Sequence, residues 1–86
     1  MRIEVHPRIT AKRSEIEPAD VRSAFTATLR KVARLDTDPV QWVGVGLDGH
    51  GRLLEYVAIE TGHEEWLVFH AMAATAKVLA ETGLRR

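Results

Sequence analysis

The chain has 86 residues, of which 45% are apolar and 28% are charged, and it contains no cysteine. This composition is typical of a small soluble protein, and the lack of cysteine excludes a disulfide framework, a thiol nucleophile and a cysteine-ligated zinc site. No stretch approaches the ~20 apolar residues of a membrane span, and the first residues form no apolar signal region. We therefore expect one domain over residues 1–86, located in the cytoplasm and without a membrane partner.

The formal net charge is zero, but the two parts of the chain differ in charge. Residues 1–34 contain eight Lys or Arg and four Asp or Glu, whereas residues 35–86 contain four and eight, respectively. The excess of basic residues in the first part indicates either a polyanion-binding face or an ordinary solvated face. Small nucleic-acid-binding domains are usually basic overall, and this chain is neutral. Both interpretations therefore stay open.

The first predicted elements are a short strand and a short helix. Arg2–His6 alternates polar and apolar residues and stops at Pro7, which predicts an edge strand. Residues 9–14 fit one or two helical turns.

A longer helix is predicted from Pro18 to Arg34. Pro18 suits the first helical position, and Asp20 suits the first turn near the positive end of the helix dipole. Apolar residues and one threonine then recur at helical spacing: Val21, Ala24, Phe25, Thr28, Leu29 and Val32. The opposite face of the same helix carries four basic residues: Arg22, Arg30, Lys31 and Arg34.

Two tight turns divide the following residues into three strands. Asp48–Gly51 and Thr61–Glu64 separate β-branched and aromatic runs, and glycine supplies the positive φ that such turns need. These signals predict a meander over residues 40–70, followed by an alanine-rich helix that starts at Ala71 and ends near Gly83. The predicted order is β-α-α-β-β-β-α. We expect an α+β domain with helices on one face of a three- to four-stranded antiparallel sheet.

Three polar side chains in the meander are candidates for chemistry. Arg52 begins a strand after a glycine turn, where its guanidinium could clamp a phosphate or stay solvated. His70 lies at the predicted junction of strand and helix, where an imidazole could transfer protons or bond a carbonyl group. Glu55 lies in an otherwise aliphatic strand and is either a base of raised pKa or the buried partner of an arginine.

The sequence contains no recognisable metal or nucleotide motif. No two of its four histidines have the i, i+4 spacing of a helical metal-ligand pair, and no glycine-rich phosphate loop is present. We expect neither a metal nor a cofactor.

Two segments resemble a known family. Gly51-Arg-Leu-Leu-Glu-Tyr-Val57 and Leu67-Val-Phe-His-Ala-Met72 look like the BrnT-type toxins of the RelE/ParE-like superfamily, which belong to bacterial toxin–antitoxin systems. The resemblance implies a ribonuclease that works without a metal and is neutralised by a cognate antitoxin. Metal-free RNA cleavage needs a base, an acid and cations, so Arg52, His70 and Glu55 are the candidate catalytic groups for this activity, and the basic face of the predicted helix is the candidate RNA contact.

The same resemblance contains one departure. BrnT-like proteins enter the last helix through a step similar to Ser-Ala-Arg, whereas this chain has His70-Ala71-Met72, so a thioether replaces a phosphate-binding arginine. A catalytically silent protein-binding module of the same fold is therefore the alternative. For either function we expect a homo- or hetero-oligomer, because a small domain with exposed sheet edges gains stability from a partner.

Overall fold

The computed structural model describes residues 1–85. Its elements, in chain order, are β1 (Arg2–Val5), α1 (Arg8–Lys12), α2 (Pro18–Thr26), β2 (Thr28–Arg34), β3 (Gln41–Leu47), β4 (Leu53–Gly62), β5 (Glu65–Ala73) and α3 (Ala76–Glu81). The predicted α+β class is confirmed, but the sheet has five strands instead of three or four, and the element order is β-α-α-β-β-β-β-α instead of β-α-α-β-β-β-α. Within residues 1–85, none of the helices has the length and apolar character needed to cross a membrane.

The strands form one mixed sheet in the order β1-β5-β4-β3-β2. Strands β2 to β5 pair with one another in antiparallel fashion, but β1 lies parallel to β5 at the edge, which corrects the prediction of an antiparallel sheet. Turns occur at both predicted places, between β3 and β4 and between β4 and β5, but the second is shorter than predicted because Thr61 and Gly62 belong to β4. Each turn contains a residue of positive φ, Gly51 at 77° and Glu64 at 54°. The positive φ that the prediction attributed to glycine therefore lies on Glu64 in the second turn and not on Gly62.

The prediction of one helix from Pro18 to Arg34 is wrong in its second half. The helix starts at Pro18 but ends at Thr26, and residues 28–34 form β2. The hydroxyl of Thr28 donates to the carbonyl of Phe25 at 2.5 Å, beside the end of the helix. From there the backbone pairs with β3, which satisfies its polar groups better than an isolated helical turn would. Leu29 lies at a register shift and is 53% exposed, so it is not part of the core.

The last helix also differs from the prediction. Pairing with the ten-residue strand β4 extends β5 as far as Ala73, so α3 begins at Ala76 and not at Ala71. The side chain of Thr75 caps α3 by accepting a hydrogen bond from the backbone of Val78. Because β5 is longer than predicted, His70 lies within the strand and not at its junction with the helix.

The helices cover both faces of the sheet, which corrects the predicted one-sided arrangement. Alternate residues of β4 point to opposite faces, as the strand geometry requires. On one face, the cluster around α1 and α2 contains Leu54, Tyr56 and Ala58, together with Ile16, Val21 and Phe25. On the other face, α3 contributes Val78 to a smaller cluster with Val43, Val45 and Val57. Glu55 shares this second face with Val57, because the two residues have the same parity.

Candidate functional site

His70 and Glu55, two of the three predicted catalytic residues, are brought together on the α3 face. The Nε2 atom of His70 lies 2.9 Å from Oε2 of Glu55. The register of β5 explains the contact, because His70 pairs with Val57 while Val68 pairs with Ala58, which leaves Phe69 as an extra residue in a bulge. Bulges alter the direction of side chains and are frequent beside active sites. Here the bulge places His70 beside a carboxylate of the neighbouring strand.

Glu55 is a buried carboxylate, and both of its oxygens take part in hydrogen bonds. Its side chain is 6% exposed. Oε1 accepts hydrogen bonds from the backbone nitrogen of Thr75 at 2.8 Å and from the hydroxyl of Thr75 at 2.6 Å. Burial raises the pKa of Glu55, but hydrogen bonds from Thr75 and His70 outweigh it, and the pKa lies below its ordinary value. Glu55 is thus a paired carboxylate and not a base of raised pKa, and its partners are a histidine and a threonine instead of an arginine.

The ionised state of Glu55 determines which nitrogen of His70 carries the proton. An ionised carboxylate only accepts hydrogen bonds, so Nε2 of His70 must be the donor. In the neutral imidazole the lone pair then lies on Nδ1. Among residues 1–85, Nδ1 has no hydrogen-bond partner, and no buried side-chain nitrogen or oxygen lacks one. Nδ1 is therefore open to solvent, consistent with a side chain that is 36% exposed.

His70 lies where two recesses of the surface adjoin. The first, which we call the α3 recess, has a volume of about 360 Å³ and contains Glu55, Thr75, Arg34 and Lys77 in its lining. The second, which we call the α1 recess, has a volume of about 540 Å³, and its lining contains three basic residues, Arg8, Lys12 and Arg13. The residues that line both are Arg8, Phe69 and His70. We call the two recesses together the basic groove.

Two cations of the basic groove are already held by the protein. Arg34 donates to both carboxylate oxygens of Glu81, at 2.8 and 2.9 Å, and this ion pair raises the pKa of Arg34 and lowers that of Glu81. Arg8 donates through Nε to the carbonyl of Phe69 at 3.0 Å, and its guanidinium carbon lies 5.5 Å from the centre of the Phe69 ring. In contrast, the groove residues Lys12, Arg13 and Lys77 form no ion pair within residues 1–85.

Arg52, the third predicted catalytic residue, does not join His70 and Glu55. It lies on the side of α2, where Nε donates to Asp48 at 2.6 Å, Nη2 to Asp20 at 3.0 Å and Nη1 to the carbonyl of Glu15 at 2.9 Å. All three nitrogens of the guanidinium therefore have a partner. The arrangement fastens the β3–β4 turn to the first turn of α2.

Asp20, Asp48 and His50 are close enough to hold a metal ion, with one ligand atom from each lying within 4.8 Å of the others. Their present bonds do not favour one. Both aspartates accept hydrogen bonds from Arg52, and Nδ1 of His50 lies 2.9 Å from Oδ1 of Asp20. A cation would have to displace the guanidinium, so the chemistry of this donor set fits an ion-pair network better than a metal centre.

The four residues predicted to form one basic helix face are distributed over the molecule. Arg22, on α2, donates to a backbone carbonyl of β1 at 3.1 Å. Lys31, on β2, lies over three aromatic rings, with its Nζ 4.4 to 5.4 Å from their centres. Arg30 is exposed on the same strand, and only Arg34 reaches the basic groove. The predicted face does not exist as one surface, because the predicted helix continues as a strand.

The sequence interpretation did not single out Arg8, Lys12, Arg13, Lys77 or Thr75. A signal for the first two was present, since Arg8 and Lys12 have i, i+4 spacing and lie on one side of a helical turn. Thr75 also carried a local signal, because threonine followed by a helix-forming segment is a favoured N-cap. Neither signal indicates that the two helices border one groove.

Comparisons of this chain with protein-family models, with curated proteins and with solved structures gave no match. The function must therefore be argued from the groove itself and from the resemblance of two short segments.

Proposed function

We propose that the protein is an RNA-cleaving toxin of a bacterial toxin–antitoxin pair, which works in the cytoplasm without a metal. The observation that carries the proposal is the pair of Glu55 and His70, whose open nitrogen faces solvent where two recesses rich in Lys and Arg adjoin. A histidine fixed by a carboxylate is the standard arrangement for a general base, and cations beside it suit a phosphodiester substrate.

In the proposed reaction, Nδ1 of His70 takes the proton of a ribose 2′-hydroxyl group. The freed oxygen attacks the adjacent phosphorus and forms a cyclic phosphate, while the bond from phosphorus to the 5′ oxygen breaks. The departing oxygen takes a proton from solvent water, and the hydroxide ion that is left takes the proton held by His70, which returns the imidazole to its neutral form. Glu55 holds the imidazole in the required tautomer and stabilises the imidazolium that forms, because its negative charge lies 2.9 Å from Nε2.

The cations of the groove supply the electrostatic part of the proposal. The phosphate gains negative charge in the transition state, and this charge must be met by fixed cations. We assign this task to Lys77 and Arg8, which line the α3 recess together with His70. Arg52 is assigned to the β3–β4 turn instead, because its three nitrogens are bound there. Lys77 and Arg8 would thus compensate for the thioether of Met72.

The second candidate is a catalytically silent protein-binding module. Its support is the free edge of the sheet at β2, near which Leu29 is 53% and Leu35 is 83% exposed. An uncovered strand edge with exposed apolar side chains near its two ends is a place where another chain can pair, whether an antitoxin or a second copy. The ion pair of Arg34 with Glu81 also favours this candidate, since it reduces the free positive charge of the α3 recess.

The test uses the purified protein, freed from any partner, with a single-stranded RNA in the presence of a chelator. We expect cleavage that leaves cyclic phosphate ends, and we expect His70→Ala and Glu55→Gln to lower the rate by about 10²–10⁴-fold. His63→Ala is the matched control, because His63 lies in an exposed hairpin turn between the same two strands.

Two results would contradict the proposal in different ways. Full activity of His70→Ala would show that the site is elsewhere. A wild-type protein that leaves RNA intact would favour the binding module, and the co-purification of a neighbouring gene product would then identify the partner.

A further inference from the structure

We infer that the α1 recess is a second phosphate subsite, which binds the phosphate adjacent to the cleaved one in a single-stranded RNA. The inference rests on the proposed function, because it places the reacting phosphate beside His70. It adds a substrate-positioning role for Lys12 and Arg13, which are not near any of the predicted catalytic residues except His70.

The recess exists because two neighbouring strands differ in length. The pairing of β1 with β5 ends where Val5 meets Val68, whereas β5 continues to Ala73. Beyond this point α1 lies beside the uncovered part of β5, and the space between them is the recess of about 540 Å³. Small-molecule sites have volumes of about 300–1,000 Å³, so the space suits a nucleotide of a single strand.

The lining of the recess is positively charged. It contains Arg8, Lys12 and Arg13 together with His70, and no Asp or Glu. Arg8 and Lys12 have i, i+4 spacing on α1, where like charges repel each other and weaken a short helix. An anion between α1 and β5 would remove this repulsion.

The recess is continuous with the proposed reaction site. Arg8, Phe69 and His70 line both recesses, so a ligand that fills one meets residues of the other. Arg8 is held at this junction by the bond from its Nε to the carbonyl of Phe69, and its two Nη groups stay available. A chain with one negative charge per nucleotide matches such a continuous row of cations, whereas an isolated anion would use only one part of it.

An acidic peptide would also satisfy the three cations. The position of Nδ1 of His70 favours RNA over a peptide. A proton acceptor in the groove can take a proton from a ribose hydroxyl group, whereas an ionised carboxylate side chain has no proton to give. The peptide is therefore included as an outcome of the test.

The experiment measures binding without chemistry. A fluorescently labelled 2′-O-methyl RNA lacks the nucleophilic hydroxyl group, so wild-type protein binds it without cleaving it, and anisotropy gives the association constant at several salt concentrations. For a single strand the slope of log K against log salt changes by about 0.7 for each phosphate contact. Because the subsite binds one phosphate, we expect the double variant Lys12→Ala/Arg13→Ala to reduce the magnitude of this slope by about 0.7.

The matched control is Arg2→Ala/Arg30→Ala, which removes two exposed basic residues that line neither recess. We expect this control to keep the slope of the wild type, and circular dichroism verifies the fold of both variants. Equal slopes for the two double variants would overturn the subsite, as would tighter binding of a hexaglutamate peptide than of the RNA.

The results also separate the subsite from the proposed cleavage. A protein that binds the RNA with the expected change of slope, but does not cleave unmodified RNA, supports the subsite and contradicts the nuclease. A protein that cleaves RNA, but whose slope does not depend on Lys12 and Arg13, supports the nuclease and overturns the subsite.

Discussion

Two clusters of titratable residues lie on opposite faces of the sheet, and each combines carboxylates with a histidine. On the side of α2, Asp48 and Asp20 bind Arg52, and Asp20 also binds His50. On the α3 side, Glu55 binds His70 and Thr75. The guanidinium of the first cluster has all three nitrogens bound within the protein, and each of the two histidines leaves one ring nitrogen without a partner among residues 1–85. The surroundings of these open nitrogens differ, because the recess beside His50 contains Glu15, Glu17 and Asp20 in its lining, whereas the recesses beside His70 contain Arg8, Lys12, Arg13 and Lys77. The comparison shows that residue types alone do not indicate a site, and that the charge around the open nitrogen must be considered as well.

The largest expected effect is a difference between the two clusters. A substitution in the first cluster should lower stability, and a substitution in the second should lower the cleavage rate. Arg52→Ala leaves two buried carboxylates without their guanidinium, so we expect a decrease in Tm of about 5–10 °C, while the folded protein keeps its cleavage rate. Because His70→Ala is expected to lower the rate instead, thermal denaturation and cleavage assays should rank the two variants in opposite orders. Arg30→Ala is the control, since Arg30 is an exposed arginine outside both clusters.

The result for Arg52→Ala would also decide the role first predicted for this residue. If Tm stays unchanged while cleavage is lost, Arg52 contacts the substrate, and the assignment of the basic groove is wrong.

A smaller effect is expected when the pH is lowered. The pKa of Glu55 lies below its ordinary 4.5 and that of Asp48 below its ordinary 3.8, because hydrogen bonds to each carboxylate outweigh the effect of burial. The folded chain thus binds fewer protons than the unfolded chain. The stabilisation is complete above the ordinary pKa values and is lost as the pH falls through the lower values of the folded state.

We therefore expect these two groups to leave Tm unchanged between about pH 7 and about pH 5.5. At pH values below about 4, their protonation should lower Tm. Glu55→Gln should make the acid part of this curve less steep, because glutamine does not titrate. Circular dichroism during heating at each pH provides the measurement. An acid part that is equally steep in the variant would show that Glu55 does not contribute.

The smallest effect concerns the ion pair of Arg34 and Glu81 in the α3 recess. Both side chains are about one-third exposed, at 32% and 28%, so the pair should stabilise the fold by at most about 1 kcal/mol. Glu81→Gln frees the guanidinium for a phosphate. We expect tighter binding of single-stranded RNA and a salt slope larger by up to about 0.7, with little change in Tm. Weaker binding in this variant would show that Glu81 positions Arg34 for the ligand.

The parts of the fold that depend on residues close together in the sequence could be predicted. The first hairpin turn and the start of α2 at Pro18 follow from glycine, from proline and from the pattern of β-branched residues within a few positions, whereas the second turn has its positive φ at Glu64 and not at Gly62. The end of α2 could not be predicted in this way. Residues 27–34 match helical spacing, and only their pairing with β3, which lies later in the chain, makes them a strand.

The candidate site could be predicted only in part, because it too depends on contacts between residues that are far apart in the sequence. His70 and Glu55 could be chosen as reactive side chains, but their contact depends on the bulge at Phe69 and on the register between β4 and β5. The contacts of Arg52 with Asp20 and with the carbonyl of Glu15 were not predictable either, because these residues are 32 and 37 positions away in the sequence, whereas its contact with Asp48 spans only four. Likewise, nothing local to α1 indicates that its lysine and arginine residues border the same groove as His70.

The parallel pairing of β1 with β5 has a consequence for the order of events during synthesis. Arg2 and Glu65 are 63 positions apart in the chain, and β1 has no other strand partner within residues 1–85. On a ribosome, the first strand must therefore wait until the strand that begins at Glu65 has emerged. Contacts of such long separation slow folding. Because residues of α1 and of β5 line the α1 recess, a nascent chain that ends before β5 carries no finished recess.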